Sequence, residues 1–504
     1  PLVRDWHTYL GGNVNTTNSF APVLGVAVDA SGNTYAVGSS ASNWGSPLNA
    51  FTPGAATFTD LYLAKFDATG NLLWHTFAGG PCNDAGNVSA PVAHVALDAS
   101  GNVYVAGNGD LTCGSPAVSG SFGSPVEALH GSQDAWVAKY NASGTRLWNT
   151  YLGGTANDGM GNFGGLAVGP GGDVYVQGSS NGTWGSPGRA FVGGPNGNFD
   201  AWVAKLNPST GARVMNTFIG GQGTEFPQGL RVDASGNIFA SGFIPADASV
   251  ANGTFGTPVN AFNANTYEGY LVKMNPAGTA FVWNTFLGGS VSDTAGGFDF
   301  DASGNIYVSG ATSGAGASWG TAVDPYVNND GFVAKLNSSG QRVWTSFFGG
   351  NSNGSDTTLW VGVDQATGEI YTIGQSFSST AGGNAAWGTP DPAFPFNTTN
   401  GFWNTYVARL LPSGALDYLA FMPSGQPARD GNLSGGKITV AGMASANWAG
   451  KTPVRAFGLT NNGIVIKLSG AGAAADADGD GIGDATDNCP SVANPTQANF
   501  DGDG

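Results

Sequence analysis

Asp5-Trp6-His7-Thr8-Tyr9-Leu10-Gly11-Gly12 stands near the start of the chain, and near copies return at Trp74 to Gly80, Trp148 to Gly154, Met215 to Gly221, Trp283 to Gly289 and Trp344 to Gly350. A worn copy runs from Tyr418 to Met422. Each copy reads as a single β-strand closed by a glycine pair. Self-similarity at a regular spacing marks a repeat architecture, in which one supersecondary unit is stacked many times.

Three more strand-like runs lie between successive glycine pairs, always in the same order. Gly25 to Asp29 enters the turn Ala30-Ser31-Gly32, and Asn33 to Gly38 leaves it. Related hairpins are Asp98 to Gly107, Asp233 to Gly242, Asp301 to Gly310 and Asp364 to Gly374. Glycine between two β-branched or aromatic runs supplies the positive φ of a tight hairpin. After a longer connection comes a third strand such as Asp134 to Tyr140, which turns through Asn141-Ala142-Ser143-Gly144 into the Trp148 run. Each unit is therefore a four-stranded antiparallel meander. Its strands are apolar on both faces, as expected of a sheet covered on both sides.

Third strands end at Lys65, Lys139, Lys205, Lys273, Lys335, Arg409 and Lys467, but the last of these has no fourth strand behind it. The Trp6 strand, conversely, has no third strand before it. Pairing the two closes a ring and removes its open seam. The expected fold is all-β: a seven-bladed β-propeller of four-stranded antiparallel blades, closed by the N-terminal strand in the last blade and followed by a calcium-binding loop tail.

Composition narrows the function. The 504 residues include 83 glycines, only 10% are charged, and the net charge is −17. Residues 476–504 carry seven Asp and no Lys or Arg, which leaves −10 on the remainder. Phosphate binding needs clustered cations, so nucleic acid and anionic membrane are poor partners. No apolar run approaches the ~18 residues of a membrane span, so no direct membrane insertion is expected of this segment. The start at Pro1 reads as a mature form whose export signal, if any, is already gone. Cys82 and Cys113 fall in two loops of one repeat. They read as one disulfide, and so an oxidising compartment, with two unpaired thiols as the alternative.

The glycine pair, a short polar loop and then Asp-Ala-Ser-Gly-Asn-Val-Tyr-Val-Ala-Gly, as within residues 79–107, resemble the bacterial seven-bladed β-propeller repeat family, often abbreviated SBBP. The resemblance covers about residues 1–470. It implies an exported or surface protein and says little about mechanism. The chain departs from the family pattern in its long connections between second and third strands.

Those connections repeat an aromatic theme: Trp44 to Phe51, Phe122 to Leu129, Trp184 to Phe191, Phe255 to Phe262, Trp319 to Tyr326, Trp387 to Phe394 and Trp448 to Phe457. Exposed, Trp44, Trp184, Trp319, Trp387 and Trp448 would form a ring able to stack on sugars. Buried, each would plug the gap between adjacent blades, and occurrence in every unit favours packing. The cations ending the third strands are expected to pair with Asp29, Asp98, Asp233, Asp301 or Asp364, or to cap turn carbonyls. Asp84, Asp158, Glu225, Asp293 and Asp356 follow the glycine pairs and read as turn formers, with cation binding as the alternative. His7 and His75 stand where other units have Asn149, Asn216, Asn284 and Thr345, and read as strand-surface variants. No nucleophile elbow, phosphate loop or Cys-x-x-Cys occurs, so no enzyme is expected and no catalytic residue is assigned.

The tail carries the sharpest chemical motif. Asp476, Asp478, Asp480, Asp484 and Asp487 occupy positions 1, 3, 5, 9 and 12 of a loop with Gly481 at position 6, and Ile482 offers its carbonyl at position 7. That spacing surrounds Ca²⁺ with oxygens, and the absence of His and Cys inside the loop disfavours zinc. Asp487-Asn488-Cys489-Pro490 continuing to Asn494-Pro495-Thr496-Gln497 resembles a thrombospondin type 3 repeat. In that family Cys489 would find its partner further along the chain. Asn499, Asp501 and Asp503 begin a second loop cut short at Gly504, so the sequence reads as part of a longer chain.

The expected organisation is a propeller over 1–470, a linker over 471–475 and a truncated calcium-binding repeat over 476–504. With calcium as cofactor, it points to an exported extracellular or cell-surface protein of bacterial type, acting in binding or adhesion in a lectin-like way. Partners would be a glycan, a surface protein or the missing C-terminal region. A self-associating subunit of a surface layer, sheath or fibre is the alternative, and a polysaccharide-active enzyme the third.

Overall fold

A computed structural model describes residues 2–470 apart from the stretches 12–21, 53–58, 81–91, 111–122, 162–163, 194–197, 222, 246–255, 263–265, 290, 315–321, 328, 350–354, 378–387, 393, 395–402, 423–427, 445–451 and 457–461. The described residues form strands and turns without a helix.

Blade 1 consists of β2 (Val23–Val28), β3 (Thr34–Ser40), β4 (Asp60–Phe66) and β5 (Leu72–Ala78). Blade 2 follows with β6 (Ala93–Leu97), β7 (Val103–Asp110), β8 (Gln133–Tyr140) and β9 (Arg146–Leu152). After the short β10 (Asn157–Asp158), blade 3 is β11 (Gly165–Val168), β12 (Val174–Ser180), β13 (Asp200–Leu206) and β14 (Arg213–Ile219). Blade 4 is β15 (Phe226–Val232), β16 (Ile238–Pro245), β17 (Tyr267–Met274) and β18 (Phe281–Leu287). Blade 5 is β19 (Asp293–Phe300), β20 (Ile306–Thr312), β21 (Gly331–Leu336) and β22 (Arg342–Phe348). Blade 6 is β23 (Asp356–Val363), β24 (Ile370–Phe377), β25 (Trp403–Leu410) and β26 (Leu416–Met422). Blade 7 has β27 (Ala428–Ser434), β28 (Lys437–Ala444) and β29 (Asn462–Gly470), and its fourth strand is β1 (Leu2–Leu10).

Every blade is an antiparallel meander in the order expected from the repeats. The first strands lie against one another in cyclic order, β27 returning to β2. Closure is direct: β1 pairs antiparallel with β29 from Leu2 opposite Gly470 to Leu10 opposite Gly463.

Local chemistry explains the repeated letters. In the first hairpin Asp29 Oδ1 accepts the N–H groups of Ser31 and Asn33, and Oδ2 accepts from Asn33 Nδ2. The same set recurs at Asp98, Asp233 and Asp301. An Asp that binds its own turn backbone fixes the hairpin without help from the core.

The Trp of the opening motif docks on the blade that follows its own. Trp6 Nε1 donates to Ala68 O at 2.9 Å, Trp74 to Ala142 O at 3.2 Å, Trp148 to Pro208 O at 3.1 Å and Trp283 to Ser338 O at 3.2 Å. Each acceptor lies in the next blade's turn between third and fourth strands, and the indole lies against that turn's glycine. Blade-to-blade contact is thus written into the same strand that ends each sheet.

A bulge recurs where third meets fourth strand, and its extra residue is Leu73, Leu147, Val214, Val282 or Val343 in blades 1 to 5. These five aliphatic side chains are exposed. Blade 6 has Asp417 there and blade 7 has Asp5, paired with Arg409 and Lys437 respectively.

Candidate functional site

The long connections are edge covers. Leu48 N donates to His75 O at 2.8 Å, and Phe77 N donates to Asn49 O at 3.1 Å, so the connection runs along the outer strand of its own blade. Val126 to Asn149, Gly188 to Asn216, Val259 to Asn284, Val323 to Thr345, Asp391 to Leu419 and Val454 to His7 repeat the first of these bonds. All seven outer strands therefore have a partner on the edge that would otherwise template aggregation.

Trp44 and Trp184 are 3% and 5% exposed. Trp44 stacks on His75 with centroids 3.8 Å apart and packs edge-on against Tyr62, and Trp184 packs edge-on against Trp202 and Phe218. Trp44 joins the apolar cluster between blades 7 and 1, and Trp184 the one between blades 2 and 3. Neither offers an open face to a sugar. Trp319, Trp387 and Trp448 lie outside the described residues.

The expectation of surface variants at His7 and His75 is corrected: His7, His75, Asn149, Asn216, Asn284 and Thr345 are all buried. His75 Nε2 meets Trp44 O at 2.7 Å, and Asn216 Nδ2 donates to Trp184 O at 2.8 Å. The position anchors the edge cover to its blade. Asn and Thr at the same position in other units point to a surface only while the cover is not recognised as a layer.

Five of the seven cations that end the third strands are ion-paired, and Lys65 and Lys467 reach turn carbonyls instead. Lys139, Lys205, Lys273 and Lys335 pair with Asp98, Asp173, Asp233 and Asp301 at 2.7 to 3.8 Å. Arg409 pairs with Glu369 rather than Asp364, and Lys467 Nζ donates to Gly32 O at 3.1 Å. Burial works to raise the Asp98 carboxyl, but bonds from Asn102 and Tyr104 and the charge of Lys139 outweigh it and hold the group below its usual range.

Near the axis, Arg231 of blade 4 acts electrostatically on both Asp299 of blade 5 and Asp430 of blade 7. Each carboxylate also clamps the next blade: Asp299 Oδ2 accepts from Val363 N at 2.9 Å and Asp430 Oδ2 from Val26 N at 3.0 Å. Burial pushes Asp430 up to about 6.

The acids after the glycine pairs do more than form turns. Asp158, Glu225, Asp293 and Asp356 are buried, and each lies beside a second buried acid at the start of the preceding blade's third strand: Asp134, Asp200, Glu268 and Asp330. The first glycine of each pair separates them. A Cβ on Gly220 would stand 2.8 Å from both Asp200 Oδ1 and Glu225 Oε2, and one on Gly288 would stand 2.7 Å from Asp293 Oδ2 and 3.0 Å from Glu268 Cγ. A side chain there would displace the acids, which is why the position is glycine.

Burial pushes Asp134, Asp200 and Asp293 up to about 6, and the charge of Asp158 adds to the shift at Asp134. Glu225 is raised by burial and then by Asp200. Asp60 holds the same third-strand position in blade 1 and is raised to about 7 by burial. Its counterpart Asp84 lies outside the described residues.

Among the described residues no group of three or more His, Cys, Asp or Glu side chains converges on one point. The calcium loop of Asp476, Asp478, Asp480, Ile482, Asp484 and Asp487, the second loop at Asn499, Asp501 and Asp503, and Cys82, Cys113 and Cys489 lie outside the described residues. No helix among those described is long and apolar enough to cross a membrane.

The thrombospondin type 3 repeat family matches residues 474–497, which contain the whole first loop. The tail thus carries a repeat of a calcium-binding family found in extracellular proteins. No curated protein matches the chain. Among solved structures, a catalytically inactive virginiamycin B lyase from Staphylococcus aureus is 11% identical, with 90% of this chain and 97% of that chain covered at a TM-score of 0.43. A protein of unknown function from Dyadobacter fermentans is 8% identical, with 93% and 99% covered at 0.43. The β-propeller domain of the Trilobed protease from Pyrococcus furiosus is 7% identical, with 87% and 95% covered at 0.40. Likeness at this level carries no information about ligand or chemistry.

Proposed function

We propose that this chain is an exported calcium-dependent binding or adhesion protein, with the propeller as a recognition disc and the thrombospondin type 3 repeat as its stalk. One relationship carries the reading. The ring is sealed by β1, and β29 ends at Gly470, four residues before the matched repeat begins at 474. A closed disc leaves the following chain free to serve as a tether. Folding of such an acidic loop requires the ion that neutralises it, which makes the tether calcium-dependent.

A structural subunit is the second reading, and Leu73, Leu147, Val214, Val282 and Val343 favour it. They repeat an exposed aliphatic side chain around five consecutive blades, as packing of one disc on another would use. Beads carrying the full chain, assayed on a panel of bacterial polysaccharides in Ca²⁺ and in EGTA, test the first reading. Calcium-dependent retention without chain cleavage is expected. Release of shortened polysaccharide would instead establish an enzyme. Calcium-dependent sedimentation of the protein alone, with no retention on any glycan, would favour the subunit.

A further inference from the structure

We propose that the propeller itself holds divalent cations, best matched by Ca²⁺, at two blade junctions: between Asp134 and Asp158, and between Asp200 and Glu225. These sites are separate from the tail loop and do not depend on it.

The acids alone would not make a site, but their unsatisfied oxygens do. Asp134 and Glu225 are fully buried, yet Asp134 Oδ1 and Glu225 Oε2 have no hydrogen-bond donor. The other oxygens are fixed by backbone: Asp134 Oδ2 accepts from His130 N at 2.7 Å, Asp158 Oδ2 from Gly154 N at 2.6 Å, and Asp200 Oδ2 from Val192 N at 2.7 Å. Asp158 Oδ1 also accepts from Ser180 Oγ, and Asp200 Oδ1 from Gly193 N at 3.1 Å, so each junction keeps one open carboxylate oxygen: Asp134 Oδ1 in the first and Glu225 Oε2 in the second. Asp134 Oδ1 and Gly154 O each lie 3.1 Å from the point a Cβ on Gly131 would occupy, with Ala156 O beside them. Three acceptors thus lie around one point beside Asp134. Carboxylate and carbonyl oxygens around one buried point are the ligand set of a hard divalent ion, which also cancels the charge that two buried acids would leave.

The repeats supply an independent argument. Where the third strand begins with an acid, the stretch after the next glycine pair carries one too, as at Asp134 with Asp158 and Asp200 with Glu225. Blades 6 and 7 begin that strand with Asn404 and Asn462, and residues 423–429 and 11–22 that follow those blades contain no acid. Acids that served only their own turns would have no reason to disappear together. At the junction of Glu268 with Asp293, Arg342 already supplies positive charge to both, which sets it apart from the two proposed sites.

Terbium replaces calcium among oxygen ligands and emits when a nearby tryptophan is excited. Residues 471–504 contain neither Trp nor Tyr, whereas Trp184 lies against Gly154, and the tail variant D478N/D480N separates any contribution of the tail loop from that of the disc. The expected result is saturable sensitised emission, displaced by Ca²⁺, that falls by about half in D134N/D158N, as two comparable oxygen sites require. It should be unchanged in D478N/D480N. Asn is already accommodated at Asn404 and Asn462, so the disc variant is expected to fold; D200N/E225Q provides the second reading should it not. Absence of sensitised emission from the unaltered chain, or emission that survives both disc variants, would overturn the assignment.

Discussion

Trp6 donates its indole N–H to the carbonyl oxygen of Ala68 across 2.9 Å, joining the first strand of the chain to a turn in the blade that follows the seam. The same side chain lies against Gly70, in the arrangement that Trp74 makes with Gly144 and Trp148 with Gly211. The seam is therefore built from the contact used at ordinary junctions, and it should be as sensitive to truncation. Trp6→Ala is expected to cost about 3–5 kcal/mol in urea unfolding, as for other buried aromatic truncations. Val3→Ala, on the exposed side of the same strand, should stay within about 0.5 kcal/mol. Equal effects of the two would contradict a packed seam.

His75 anchors the edge cover of blade 1 through Trp44 O, a task that Asn216 performs in blade 3. His75→Asn should therefore be tolerated within about 1 kcal/mol, whereas His75→Ala should cost about 1–3 kcal/mol by leaving a buried carbonyl without its partner. Chemical denaturation of the two variants side by side gives the comparison. A larger loss in the Asn variant would show that the imidazole does something other than hold the cover.

Gly220→Ala places a methyl group 2.8 Å from an oxygen of each of Asp200 and Glu225 and 2.5 Å from Asp200 Cγ. Overpacking of that kind costs typically about 1–3 kcal/mol. The fall in denaturation midpoint should be relieved when Glu225 is also shortened to Asp, because the shorter chain withdraws from the new methyl. Two independent losses that simply add would argue that the glycine and the acid do not share the space.

Asp430 gives the disc a pH dependence of known sign. Its carboxyl is raised by burial to about 6, against about 3.9 in an unfolded chain, with Val26 N and Arg231 opposing the shift. The folded state thus keeps its proton to higher pH. The stability this group contributes is complete below the unfolded value and is lost as pH rises through about 6. Asp430→Asn should flatten the decline in urea midpoint between about pH 4 and 7 without abolishing it, since Asp299 is also raised by burial. A profile as steep as that of the unaltered protein would remove Asp430 as its source.

The architecture was legible because it rests on counting. Lys467 ends a third strand with nothing behind it, Trp6 begins a fourth with nothing before it, and ring closure follows from topology. The edge covers were not legible. Leu48 is held to His75 by backbone bonds, and a segment containing Gly45 and Pro47 carries neither a strand period nor a turn signature. With that layer missing, His75 looked like a surface residue. The acid pairs were half visible. Asp134 opens a third strand and Asp158 follows the next glycine pair, and only the fold shows that the two meet. The signal that could have joined them is their joint loss in the two blades whose third strands carry Asn404 and Asn462.

Closure by β1 is the claim on which the disc, its seam and the proposed tether all depend. Thermal unfolding of the chain lacking residues 1–12, compared with the full chain in the same calcium-containing buffer, tests it most directly. The account predicts a lowered melting temperature or aggregation, because β29 is left as an open edge and Gly70 without its indole. A melting curve that coincides with that of the full chain would show that the ring does not need its first strand.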